Sequence, residues 1–324
     1  MNLAHTVARG RYTSCRFLLC LRVLAILAAE LLGLGWANAD QPALTVVTRA
    51  GERHFTAADL LARPDSAVVN VNGDVYDHAV SYRAVPLLAL LGHTADDSSD
   101  TIEAQASDGF VSQIPMALVA RGANGGAVAW LAVEDPAQPW PRLAAHGTGN
   151  GTGNGTGNGT GHRTASAGPF YLIWEHPERS GVMREQWPYQ VVRLSLVESS
   201  DHRWPQLAVP PNASNDTTKR GHDVFLAQCS PCHRLGGGGA GEVGPDLATP
   251  MSPTQYLTEA GLRALIRDPR AVRTWPGQRM VGFSKSDLPD SDLDALIAYL
   301  RAKADNKANN KSDDKANNTA PSHN

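Results

Sequence analysis

Cys229-Ser230-Pro231-Cys232-His233 is the stretch that decides how this chain is read. The two thiols stand about one helical turn apart, and an imidazole follows the second directly. Thiols at that spacing add to the two vinyl groups along one edge of a haem. The histidine beside the second thiol then lies under the porphyrin and offers a ring nitrogen to iron. The motif predicts one covalently bound haem c, attached at Cys229 and Cys232, with His233 as an axial ligand. Two rival chemistries use similar spacing. A zinc site needs roughly four ligands, usually from two such pairs, and no second pair follows. A thioredoxin-type redox pair opens a helix after a strand. Here the pair closes a helix expected over 217–228, and the glycine run 236–239 comes next.

The remaining cysteines sharpen this reading. The sequence has four, and Cys15 and Cys20 fall in the N-terminal segment. Residues 1–39 begin with a basic region, continue through the apolar run 17–27 and end on Ala37-Asn38-Ala39, the small residues a signal peptidase selects. A Sec-type signal and a periplasmic destination are therefore expected. The competing reading is an uncleaved anchor, in which case the protein would be membrane-associated. Arg22 and Glu30 interrupt the apolar run and disfavour it. Cleavage would leave an exported protein with Cys229 and Cys232 alone, too few for a disulfide framework. Losing four arginines against one glutamate would also make the chain more acidic than its formal charge of −3. No basic stripe remains, which argues against a nucleic-acid partner.

The flanks of the motif extend the picture. Gly221 and Phe225 precede it. Gly244-Pro245-Asp246-Leu247 follows, then a helical pattern over 256–267. The run 290–303 places Leu293, Leu296, Ile297 and Leu300 on one face, with Tyr299 beside them. Together these residues resemble a class I cytochrome c domain. The resemblance implies that Gly221 permits close crossing by the closing helix, that Tyr299 meets Phe225, and that Pro245 packs near His233. It also implies a methionine sixth ligand on the loop before the closing helix, which is Met280. Met251 is the competitor, but a whole helix still separates it from that loop. Such His/Met ligation fills both axial positions and points to electron transfer rather than catalysis at iron. Trp275, Arg270, Arg273 and Arg279 lie near the ligand loop as candidate propionate donors or as solvated surface groups. Asp287, Asp290, Asp292 and Asp294 mark the start of the closing helix.

Upstream, residues 40–198 alternate short apolar runs with helical stretches. Strands are expected near 43–47, 68–71, 128–131, 170–174 and 189–194, and short helices over 55–62 and 85–91. A Gly-Thr-Gly-Asn repeat over 147–161 reads as a loop insertion. The order of 85–91, 106–110, 130–132, 168–173 and a last strand resembles the molybdopterin-binding fold of sulfite-oxidase-type enzymes. That family holds molybdenum through a cysteine thiolate, and 40–198 contains no cysteine. Arg9-Gly10-Arg11 is also not the twin-arginine signal such enzymes use for export, so molybdopterin is not expected. Histidines 54, 78, 93, 146, 162, 176 and 202 show no ligand spacing. The aromatic and charged segment 174–189 reads as a strand connection, with a docking surface or a vestigial pocket as alternatives.

The expected fold is therefore α+β in two domains. A signal (1–39) precedes a β-rich sulfite-oxidase-like domain (40–198), a linker (199–216), an all-α cytochrome c domain (217–303) and a disordered tail (304–324). The expected function is that of a mono-haem electron carrier more than an enzyme, with no catalytic residues. Its partners would be redox proteins: a dehydrogenase, a terminal oxidase or another cytochrome. The alternatives are a molybdopterin-dependent oxidoreductase that passes electrons to its own haem, and a haem-based ligand sensor with a vacant sixth site.

Overall fold

Strands come first along the chain, and their burial follows their patterning. In β1 (Ala43–Thr48), Leu44 and Val46 point inward and their neighbours outward, as a half-buried strand requires. β2 (Gly51–Thr56) follows, and Thr56 caps α1 (Ala57–Leu61) in a reciprocal capping box with Asp59. Then come β3 (Ala67–Val71), β4 (Val80–Pro86), α2 (Leu87–Leu91), β5 (Asp100–Ala106), β6 (Val111–Pro115) and α3 (Met116–Ala120). β7 (Val128–Val133), β8 (Phe170–Glu175) and β9 (Val191–Glu198) complete the β-rich part. The computed structural model describes residues 43–72, 75, 76, 78–92, 100–143 and 166–319, with side chains to 308. The segment 1–39, the repeat 147–161, residues 320–324 and His93, His146 and His162 lie outside the described residues.

Two sheets result, one of five strands in the order β2-β1-β9-β5-β6 and one of four in the order β3-β4-β7-β8. All pairs are antiparallel except β1 with β9. Phe170 to Trp174 are buried on both faces of β8, so that strand reads as a continuous apolar run rather than an alternation. The last strand begins at Val191 instead of 189. Tyr189 makes only an isolated bridge to Tyr171, and Gln190 adopts a positive φ of 53°.

The helical part starts with α4 (Ser200–Arg203) and α5 (Asp216–Val224), which Asn215 and Thr218 cap reciprocally. It continues with α6 (Pro253–Tyr256), α7 (Glu259–Arg267), α8 (Pro269–Val272) and α9 (Asp290–Thr319). The helix expected over 256–267 is thus broken at Leu257, because Thr258 turns out to cap α7. The helical part has its own apolar core, built on Leu207, Val224, Phe225, Leu262, Leu293, Leu296, Tyr299 and Leu300. A separate cluster fills the β-rich part, yet both parts fall within one compact unit. Among the described residues no helix is long and apolar enough to cross a membrane.

Two segments gain detail from the structure. Residues 199–216, expected as a linker, pack on the helical core. Leu207 is fully buried, Tyr299 Oη donates to Leu207 O at 2.5 Å, and Lys303 Nζ donates to Ala208 O at 2.9 Å. The tail expected to be disordered from 304 is helical through Thr319. Ala304 is still buried and Lys307 Nζ reaches Ala248 O, so the packed helix carries its own continuation past the last apolar residue.

Candidate haem-attachment site

The site is assembled at the end of α5. Gly221 lies where α9 crosses, and a β-carbon there would stand 2.0 Å from Ala295 O and 2.8 Å from Tyr299 Cβ. Only glycine permits that approach, and it brings Tyr299 to a ring-centroid distance of 5.7 Å from Phe225. The helix then runs into one wider turn, Phe225–Cys229. His233 N donates to Cys229 O at 2.8 Å and Cys232 N to the same oxygen at 3.1 Å. Those two bonds wind Cys229 to His233 into a single turn, so the thiols share a side and the imidazole follows them.

Cys229 and Cys232 are both free thiols and only partly exposed. Burial pushes each up to about 12, with the other charged groups nearby adding to it for Cys229 through Cys232 and Glu185. A setting that disfavours thiolate is suited to a neutral thioether, the state each sulfur holds after addition to a vinyl group.

The His233 ring is fixed by the returning loop. Its Nδ1–H donates to Pro245 O at 2.8 Å, which leaves the Nε2 lone pair for a metal. Burial holds the imidazole below its ordinary value, so the ring stays neutral. A β-carbon at Gly244 would come within 2.3 Å of the ring, so the close passage of the chain depends on that glycine. Asp246 anchors this turn by accepting from Gly236 N, Gly237 N and Ala248 N at 2.8, 2.6 and 2.7 Å. Burial alone would raise its carboxyl, but these N–H donors outweigh burial and lower it.

The two candidate sixth ligands sit in different surroundings. Met280 is half-buried and packs against the helical core, whereas Met251 is 49 % exposed. Beside Met280, Gln278 Nε2 is buried with no hydrogen-bond partner among the described residues. A buried donor of this kind fits a bound group that carries acceptors, as haem propionates do. Together with the thiols and the poised imidazole, it makes the residues present a fit for haem c. Of the other candidate donors, Trp275 is 48 % exposed, and Arg273 lies over its ring at 5.6 Å. Arg270 and Arg273 are exposed, and Arg279 is half-buried.

The acidic residues before the closing helix do more than face its dipole. Asp290 pairs with Arg267 and Lys285, Asp292 with Arg220, and Asp294 with Arg263. Asp287 reaches Arg184 of the β-rich part. The segment 174–189 therefore does not merely connect strands. Met183 packs against the helical core while Trp187 belongs to the β-rich core. Arg184, Glu185, Gln228 and Asp108 all lie at this junction; the first two fall in the segment for which a docking surface is an alternative reading, and the sequence does not single out Gln228 and Asp108 for this role. The one hint in the sequence is the polar triplet Arg184-Glu185-Gln186 set between Met183 and Trp187. Among the described residues no group of three or more His, Cys, Asp or Glu side chains is placed to hold a metal ion.

Residues 218–303 match the family model Cytochrome c. A domain of that family implies a covalently bound haem c and supports an electron-transfer role. No curated protein matches the chain.

Proposed function

We propose that this chain, with its cytochrome c domain at 218–303, is an exported mono-haem electron carrier of the periplasm. The observation that carries the reading is the His233 imidazole, whose Nδ1–H is committed to Pro245 O while its Nε2 lone pair is free for iron. When bound, haem c supplies an iron that changes by one electron. Cys229 and Cys232 hold it covalently, and Asp246 and Gly244 keep the His233 ring in place. Met280 supplies the sixth ligand. A thioether is a soft neutral donor that favours ferrous iron and raises the potential. With His233 and Met280 as the two protein ligands, bound haem would have no position left for substrate and would serve to pass single electrons to a protein partner. That partner is a dehydrogenase, a terminal oxidase or another cytochrome.

The β-rich part is read as a docking module of sulfite-oxidase-like fold that has lost its metal, since 40–198 contains no cysteine to ligate molybdenum. Under this reading residues 40–198 and 217–303 are distinct domains joined by the packed segment 199–216. The test is purification from a cell able to make both cofactors, followed by metal analysis and spectroscopy. Iron without molybdenum is expected, with a ferric sulfur-to-iron charge-transfer band that Met280→Ala abolishes and Met251→Ala leaves intact. Molybdenum stoichiometric with the chain, or a band lost in Met251→Ala, would overturn it.

A further inference from the structure

We infer that Arg184, although it lies in the β-rich part, is a positioning residue for Met280. It keeps the ligand loop of the helical part seated, so the sixth position stays filled only while the β-rich part is docked. This rests on the proposed His233/Met280 ligation.

Arg184 opens a short 3-10 turn, Arg184–Gln186, and its side chain is 3 % exposed. A guanidinium so deeply buried is costly unless its donors are met. Its partners come from the loop that carries Met280. Nη1 donates to Gly282 O at 3.1 Å and lies 3.2 Å from Asp287 Oδ2. The guanidinium also lies over the Phe283 ring, 4.9 Å from its centroid. Nη2 faces Glu185 Oε1 at 3.3 Å, so two carboxylates lie against this one cation, while Nε has no hydrogen-bond partner among the described residues.

The loop is held on the other flank of Met280 as well. Arg279 Nη2 lies 3.9 Å from Asp108 Oδ2, again a residue of the β-rich part. A third link reaches the attachment turn. Glu185 N donates to Gln228 Oε1 at 3.3 Å, and Gln228 Nε2 donates to Asp287 O at 3.1 Å. Gln228 immediately precedes Cys229. The β-rich part therefore contacts the residue before the first thiol and two residues that flank Met280, Arg279 and Gly282. Within the helical part, Gly282 passes close to Arg267 at the end of α7, and hydrogen bonds to α7 begin at Phe283. Phe283 N donates to Ile266 O, and Arg267 Nη1 donates to Phe283 O, Ser284 O and Leu288 O. Met280 also packs against the helical core, but Arg279 and Gly282 on either side of it take polar partners from the other part. Undocking of the β-rich part, as by a partner competing for the surface around Arg184, would free Met280 and open the iron to an added ligand.

The test uses the full-length holoprotein and the variants Arg184→Gln, Arg184→Lys and Asp287→Asn. The readouts are the ferric Met–iron charge-transfer band and carbon monoxide binding by the reduced protein at neutral pH. In Arg184→Gln, the fraction of protein lacking the Met–iron bond should rise at least about tenfold, or 1.4 kcal/mol in the ligation equilibrium. Arg184→Lys should fall between, since a single ammonium cannot serve Gly282 O and Asp287 while covering the Phe283 ring. Asp287→Asn keeps an oxygen to cap Ser284 but loses the charge facing Arg184, so it should move the same way by less. It also decides the matter if Arg184→Gln does not fold. Variants that melt earlier yet keep the full band and exclude carbon monoxide like wild type would make Arg184 mere structural glue and overturn the inference. A wild type without the band, or one unmoved by Met280→Ala, would instead defeat the ligation on which it rests.

Discussion

Replacing Gly221 with alanine tests the packing that positions the attachment turn. The new β-carbon would lie 2.0 Å from Ala295 O, 2.5 Å from Ala295 C and 2.8 Å from Tyr299 Cβ. Comfortable contact begins near about 3.5 Å, so α5 and α9 would have to part by more than about 1 Å. Two of the obstructing atoms are backbone, which cannot swing aside as a side chain would. Overpacking typically costs about 1–3 kcal/mol, and this geometry belongs at the upper end. Alanine regains about 1 kcal/mol as the better helix former, leaving a net loss of about 2 kcal/mol. If both parts melt together, that lowers Tm by about 4–8 °C, and by more if the helical part unfolds alone. Thermal and urea unfolding of the holoprotein would measure it, with Gly261→Ala as control. Gly261 also lies in a helix, but its β-carbon would meet only Thr258 Oγ1 at 3.1 Å, so a neutral or slightly stabilising effect is expected. A Gly221→Ala protein as stable as wild type would show that the helices do not cross as described.

Two further perturbations follow from buried charge. Burial alone would lower the His222 imidazole, but Asp201 and Asp223 outweigh it and raise the ring to about 9; Tyr299 lies against it, and Lys303 is the neighbouring cation that shares the field of Asp201. His222 Nε2 stands 2.8 Å from Asp201 Oδ1, close enough for an ion pair though not aligned as a hydrogen bond. With an unfolded value near 6.5, this stabilisation is full below about pH 6.5 and is lost as pH rises through about 9; it is worth at most about 3 kcal/mol, and nearer 1–2 because Asp201 is half-exposed. Urea unfolding from about pH 6 to about pH 10 should show a steeper alkaline loss in wild type than in His222→Gln, and equal slopes would count against the pair. Asp246→Ala removes the acceptor of three backbone N–H groups and should cost about 2–3 kcal/mol, while Asp246→Asn should keep most of it. Because the folded carboxyl is lowered, its contribution is present at neutral pH and fades as pH falls through the folded value; acid unfolding that is identical in wild type and Asp246→Ala would refute the anchoring role.

The attachment chemistry was legible because it is contiguous. Cys229, Cys232 and His233 need only one turn of backbone to share a side, and the roles of Gly221, Phe225, Pro245 and Tyr299 came from the resemblance to a cytochrome c domain that these residues carry. β1, β3, β7, β8 and β9 were legible because their apolar residues outnumber everything near them. β2, with Glu52, Arg53 and His54, carries no such signal, and neither do β5 and β6, where Thr101, Ser112 and Gln113 are buried polar residues. These strands exist because neighbouring strands complete their ladders, β1 for β2, β9 and β6 for β5, and β5 for β6, which is tertiary information. The same holds, more sharply, for the junction. Arg184 finds Gly282 and Asp287 at sequence separations of 98 and 103, so no window around residue 184 could report them. Under the proposed ligation, whatever holds haem is written locally, and whatever holds its sixth ligand in place is written across two parts of the chain. A β-rich part with no cysteine in 40–198 still has a physical use under this arrangement. Its docking energy is connected, through Arg184 and Asp108, to the loop whose seating decides whether the iron is closed.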